Sequence, residues 1–268
     1  MPNEPKRGVG QFIKKLLHHL LATSTALDWN LGQGTVEQRR REPSLPHEGD
    51  SRSIGLELDQ HVADSSFADR YVKQIPDLIH MTGPSAYDYQ FGADRRLFDP
   101  FIETAWLEPN TLFSHTEATL EIENDELIGI EIGFGGRNWY ELKKPLGGIS
   151  ARLLESGRTT REALSLMGKH SRIASYMNPY IPETAYYVLA LAISDSHRGQ
   201  GLGAKLLSNA IETARIAGYR ELHLDVLSDN PAVKFYESMG LACMAETIAP
   251  EPYREHGIPM EMRMVLRL

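Results

Sequence analysis

The sequence predicts an α/β (α+β) fold, a mixed central sheet with flanking helices. Three observations carry this. Thr116–Glu123 and Glu126–Phe134 alternate with period two around Asn124-Asp125, a hairpin turn pair. Tyr186–Ser194 is a continuous apolar run that leads through closely spaced glycines into an amphipathic helix. Leu222, Leu224 and Val226 then alternate as a further strand.

The chain has 268 residues, 41% hydrophobic and 24% charged, which suits one large domain with a tail, or two small domains. Its net charge of −8 argues against non-specific nucleic-acid binding, which needs clustered Lys and Arg. The single cysteine, Cys243, excludes an intrachain disulfide and a cysteine zinc cluster, so a reducing cytoplasm is the expected setting. On its late strand, Cys243 reads as a core residue. No apolar run approaches the roughly 20 residues of a membrane span. Lys14, Lys15, His18 and His19 interrupt the first apolar stretch, so it does not read as a secretory signal.

In chain order, residues 1–52 read as an appendage: a short amphipathic helix over Phe12–Leu21, then a linker rich in Gly, Pro, Ser and charge. The helix is expected to dock on its own domain or on a partner subunit, the other reading being a basic membrane-surface helix or organelle-targeting segment, and a homodimer is allowed. Residues 53–268 form the globular part. Ile54, Leu56 and Leu58 alternate as a first strand, and one helix is expected over Ser66–Met81, broken by Thr82-Gly83-Pro84. Helices follow over Ser85–Phe91 and Arg95–Leu107. After the hairpin, residues 138–178 form a long insert with a helix over Thr160–Met177, placed to lie over a site or to serve as a packing layer. Gly201–Ala217 is a helix closed by Gly218, and Pro231–Met239 is a short one closed by Gly240. Leu241–Ile248 and Met260–Leu268 complete the sheet.

The segment with most chemistry is Arg198-Gly199-Gln200-Gly201-Leu202-Gly203-Ala204. Its glycines let backbone N–H groups converge at the head of a helix, where an anion is favoured, above all a pyrophosphate. Arg198 and Lys205 add charge. A Walker loop is excluded because Gly203 is followed by Ala204-Lys205 rather than Lys-Ser/Thr. A dinucleotide fingerprint fails at Leu206, although Asp225 stands about where a ribose-binding acid would, so that alternative is weakened rather than removed.

Together with this loop, a second segment, Asn230-Pro-Ala-Val-Lys-Phe-Tyr-Glu-Ser-Met-Gly-Leu241, carries a resemblance. The loop is similar to the Arg/Gln-x-x-Gly-x-Gly/Ala loop of the GNAT superfamily of N-acetyltransferases. Ala232, Phe235, Tyr236, Glu237 and Gly240 fall in register with that family's second motif. Asp229 stands where the family asparagine usually does, which leaves open whether Asp229 or Asn230 meets the cofactor. Leu241 replaces the common phenylalanine.

The resemblance implies a mixed, strongly twisted sheet in which two parallel strands, here Tyr186–Ser194 and Glu221–Leu227, splay apart. It implies acetyl-CoA as cosubstrate, without metal. The pantetheine arm would lie along Leu191, Ala192 and Ile193 and the pyrophosphate on Arg198–Ala204. An amine, from a small molecule or a peptide, would attack the thioester directly. The Leu191 amide is then the expected oxyanion donor and Tyr236 the expected proton donor to the leaving thiolate. Asp225 is the first candidate for the base, Glu131 the second and Tyr187 the third. Three alternatives stand beside catalysis: a non-catalytic acyl-CoA-binding regulatory module, a nicotinamide-linked enzyme, and purely structural roles for the three base candidates. Ser194, Asp195 and His197 lie in one turn and cannot adopt triad geometry.

Overall fold

The computed structural model of the chain describes residues 60–62, 65–174 and 180–268. The predicted tail helix and the strand over Ile54–Leu58 lie outside the described residues. The first described strand is β1, Gln60–Val62. It leads to helices α1 (Ser65–Tyr71), α2 (Ile75–Thr82), α3 (Pro84–Phe91) and α4 (Arg95–Leu107). The single helix expected over Ser66–Met81 is therefore two. Pro76 has no N–H to give back to the preceding turn, so the chain closes α1 with a turn at Gln74 and starts again. Proline at the head of the new helix costs nothing there.

Strands β2 (Ala118–Glu123) and β3 (Glu126–Gly135) form the expected hairpin. Asn124 and Asp125 both take positive φ, 50° and 66°, as a two-residue turn matched to sheet twist requires. The insert folds as α5 (Trp139–Lys143), α6 (Leu146–Glu155) and α7 (Arg161–Ile173). Helix α7 packs on α3 and α6 on α4, while Trp139 of α5 lies against Phe134 and Tyr187 of the sheet.

Then come β4 (Ala185–Ile193), α8 (Leu202–Ile216), β5 (Glu221–Leu227), α9 (Ala232–Ser238), β6 (Ala242–Thr247), α10 (Pro250–His256) and β7 (Glu261–Arg267). Helix α10 has no counterpart in the sequence reading. Its signal was present, with Pro250 opening the helix and Gly257 closing it at φ 67°.

The sheet order is β1-β2-β3-β4-β5-β7-β6. Only β4 and β5 pair in parallel among the described strands. A bulge in β4 at Leu189 reverses which side chains face which way. Tyr187, Ala190 and Ala192 join the core under α1–α7, called here the front. Tyr186, Val188 and Leu191 join the core under α8 and α9, the back. Fully buried Trp106, Ile79, Ile130 and Ile149 anchor the front core, each contributing roughly 1.5–3 kcal/mol of burial. Cys243, expected inside, is exposed on β6, because β6 is the sheet edge and no helix among the described residues covers it.

Candidate active site at the fork between β4 and β5

Parallel pairing of β4 and β5 runs from Ala185–Glu221 to Val188–Leu224 and stops there, although β4 continues to Ile193 and β5 to Leu227. Ala190–Ile193 therefore pair with β3, Leu189 is bulged out of that ladder, and none of them has a strand on the β5 side among the described residues. Their outward N–H and C=O groups are available to an extended ligand, since strand backbone requires partners. Leu191, Ala192 and Ile193 all lie on this open stretch.

The open stretch of β4 ends at the glycine loop. Gly199 and Gly201 have φ of 77° and 81°, a conformation that side-chain-bearing residues avoid. A Cβ built on either would meet nothing within 4 Å, so the space above the loop is free. Gly201 caps α8, and the first amides of α8, at Leu202, Gly203 and Ala204, point out of the helix end with its positive dipole. Free amides, open space and a positive helix end fit a diphosphate. Gln200 is exposed beside them.

The two cations near the loop behave differently. Arg198 is exposed, pairs with Asp195 at 2.9 Å and donates from Nε to the Ile193 carbonyl at 3.3 Å. Lys205 is turned away, its Nζ 2.7 Å from Oε1 of the buried Glu121. Lys205 is thereby committed to Glu121, and Arg198 is the more exposed of the two cations.

Helix α9 closes the other side. A Cβ on Gly203 would lie 3.7 Å from the Phe235 ring and 3.9 Å from Ile193, so α9, the head of α8 and the end of β4 meet there. Tyr236 is buried on α9, and its phenol is pushed up to about 12 by burial. Asn230 uses its side-chain oxygen to accept from the Ala232 amide at 2.9 Å, starting α9. Asp229 is exposed.

The base candidates do not converge. Asp225 and Tyr187 share the front face where pairing ends. The Tyr187 hydroxyl donates to Asp225 Oδ2 at 2.8 Å. Arg263 on β7, opposite Asp225 in the ladder, donates to both carboxylate oxygens, from Nε at 2.5 Å and Nη2 at 2.8 Å. Its Nη1 donates to the Tyr180 carbonyl at 2.7 Å. The Asp225 and Arg263 side chains are 5% and 8% exposed. Burial, then the neighbouring Asp225 carboxylate, raises the Tyr187 phenol well above its ordinary value. Arg263 is a member of this front-face cluster that sequence reasoning missed. A lone arginine on a late strand gives no signal until β7 is known to pair with β5.

Glu131 lies on the back face. Thr119, opposite it in the β2–β3 ladder, supplies a hydrogen bond, while Oε1 has no partner among the described residues. A Cβ on Gly133 would sit 2.3 Å from that oxygen and 2.5 Å from the Tyr186 hydroxyl, so these groups crowd over a glycine. Burial pushes the Glu131 carboxyl up to about 8.

Strand, glycine turn and helix beside an opened parallel pair define an α/β protein with an unpaired strand edge leading into a main-chain loop of the shape and polarity that suits a diphosphate. The chain belongs to the acetyltransferase (GNAT) family, whose model matches residues 101–241, more than half of its length. Among solved structures it is similar to one described as an acetyltransferase, with 18% identity, 78% of this chain and 98% of that one covered, and TM-score 0.55. It is also similar to an N-acetyltransferase from Staphylococcus aureus Mu50, with 15% identity, 78% and 100% covered, and TM-score 0.57. At these identities the likeness is one of fold. No curated protein matches the chain. Among the described residues, no helix is long and apolar enough to cross a membrane.

Proposed function

We propose that the chain is an N-acetyltransferase that moves an acetyl group from acetyl-CoA to a primary amine of a small molecule or peptide. The observation that carries this is the end of β4–β5 pairing at Val188–Leu224, directly before a loop whose glycines leave open space over free amides. Acetyl-CoA would supply an acyl group activated as a thioester. The amides of Gly199–Ala204, with Arg198, would hold its diphosphate, and Leu191–Ile193 would pair with its extended arm. The Leu191 amide would stand as donor to the acyl oxygen.

Tyr236 is the group proposed to protonate the departing sulfur. A phenol near 12 facing a thiol near 8.5 makes full transfer uphill by ~5 kcal/mol. The hydroxyl therefore serves best as a hydrogen-bond donor that releases its proton as the carbon–sulfur bond breaks. Asp225, held by Arg263, acts through Tyr187: the phenol oxygen would take the amine proton while its own proton passes to the carboxylate. Glu131, protonated at neutral pH and on the other face, is the weaker candidate.

The second reading is a non-catalytic acyl-CoA-binding regulatory module. What favours it is that Asp225 and Tyr187 are fully engaged with one another and with Arg263. Incubation with acetyl-CoA and a panel of amines, following thiol release, separates the two. Amine-dependent release that falls in Tyr236→Phe supports the transferase. CoA binding with no release on any amine leaves the binding module, and NAD binding without CoA binding overturns both.

A further inference from the structure

The far end of the same two strands carries a different feature. A cavity of about 280 Å³ is lined by Arg137, Glu183, Thr184, Gly218, Tyr219 and Arg220. It lies where β4 and β5 begin, at the opposite end from the fork. Its wall is built by close approach. β3 ends in Gly135-Gly136, where a Cβ would come within 1.8 Å of the Tyr219 hydroxyl and 2.1 Å of the Pro182 carbonyl oxygen. That turn presents Arg137, whose guanidinium lies over the Tyr219 ring at 5.3 Å. The stacking orders a long side chain that exposure would otherwise leave free.

The charges are unbalanced. Neither Arg137 nor Arg220 has an ion pair among the described residues, although the chain carries 36 acidic against 28 basic side chains. Glu183 borders the same space without pairing with either. The cavity also touches Gly218, at the carboxyl end of α8, where the helix dipole is negative. Two cations, one anion with a negative helix end, and one hydroxyl from Thr184 complement a molecule with two carboxylates and one ammonium. The volume falls just below the roughly 300–1,000 Å³ of pockets that enclose drug-sized ligands, so a small metabolite is the right scale.

We propose that this cavity binds a dicarboxylic α-amino acid, apart from the acyl-donor site. The arginines take the carboxylates, bidentate geometry favouring Arg for this task, and Glu183 takes the ammonium. Neither claim depends on acyl transfer at the fork.

Isothermal titration of the full chain with L-glutamate tests it. Saturable binding is expected. It should weaken roughly tenfold or more in Arg137→Ala and in Arg220→Ala, at unchanged melting temperature. Glutarate, which lacks the ammonium, should bind more weakly than L-glutamate to the natural chain and as well as L-glutamate to Glu183→Gln. No heat of binding at about 10 mM L-glutamate overturns the proposal. So does an affinity that neither arginine substitution alters, which would place any bound glutamate elsewhere, the fork included.

Discussion

The two faces of the sheet treat buried acid in opposite ways, within one strand of each other. On the front, Asp225 lies against a guanidinium that meets both its oxygens, with the Tyr187 hydroxyl as a further donor. On the back, Glu131 has Thr119 for one oxygen and no partner among the described residues for the other. The front group is met by donors on both oxygens and ties β4, β5 and β7 together where pairing ends. The back group gives up its charge below about pH 8. Both carboxyls are buried, and what separates them is the number of donors that meet each one.

The largest effect expected from breaking this comparison is at Glu131. A carboxyl raised from 4.5 to about 8 in the fold binds its proton more tightly there than in the unfolded chain. Stability is therefore highest below pH 4.5 as far as this group is concerned, falls between 4.5 and 8, and loses ~5 kcal/mol once ionisation is complete. Glu131→Gln should remove that fall. Urea unfolding at pH 5 and pH 9 measures it, and an equal effect of the substitution at both values refutes an uncompensated acid.

At the front, Arg263→Leu strands the Asp225 carboxylate and should cost about 3–5 kcal/mol. Arg263→Leu with Asp225→Leu should recover most of that stability while abolishing any relay through Tyr187. A double variant as unstable as the single one would show that the pair is not the unit of stabilisation.

The next two predictions set side chains against main chain at the fork. Gly201→Glu forces a carboxylate and a strained positive φ into the loop. It should weaken CoA binding about 100-fold, ~2.7 kcal/mol, by calorimetry. Unchanged affinity would mean that the diphosphate is not held there. Tyr236→Phe keeps the ring and removes the proton. It should lower kcat by roughly 10–100-fold and leave acetyl-CoA affinity and melting temperature as they were. A matching loss of affinity would instead make Tyr236 a packing or binding group.

Much of this was legible before any coordinates. The hairpin at Asn124-Asp125, the strand before the glycine loop, α8 with its closing Gly218, and α9 all stand within a residue or two of their expected bounds. Each rests on short-range rules of periodicity, turn chemistry and caps. The glycine turn was legible for the same reason, since the positive φ at Gly199 and Gly201 needs glycine at those positions. The rest failed where one residue's meaning depends on distant ones. Cys243 reads as core until β6 proves to be the edge, and Lys205 reads as a phosphate ligand until Glu121 on β2 claims it.

The sequence by itself determined the hairpin, the glycine turn at the head of α8 and the short helix that carries Tyr236, because each is encoded within about ten consecutive residues. Only the tertiary structure decided where β4 and β5 part, which face each acid occupies, and that Arg263 holds Asp225. Strand register, the parity change at the Leu189 bulge, and pairs 38 residues apart are set by packing across the sheet, and no local pattern contains them.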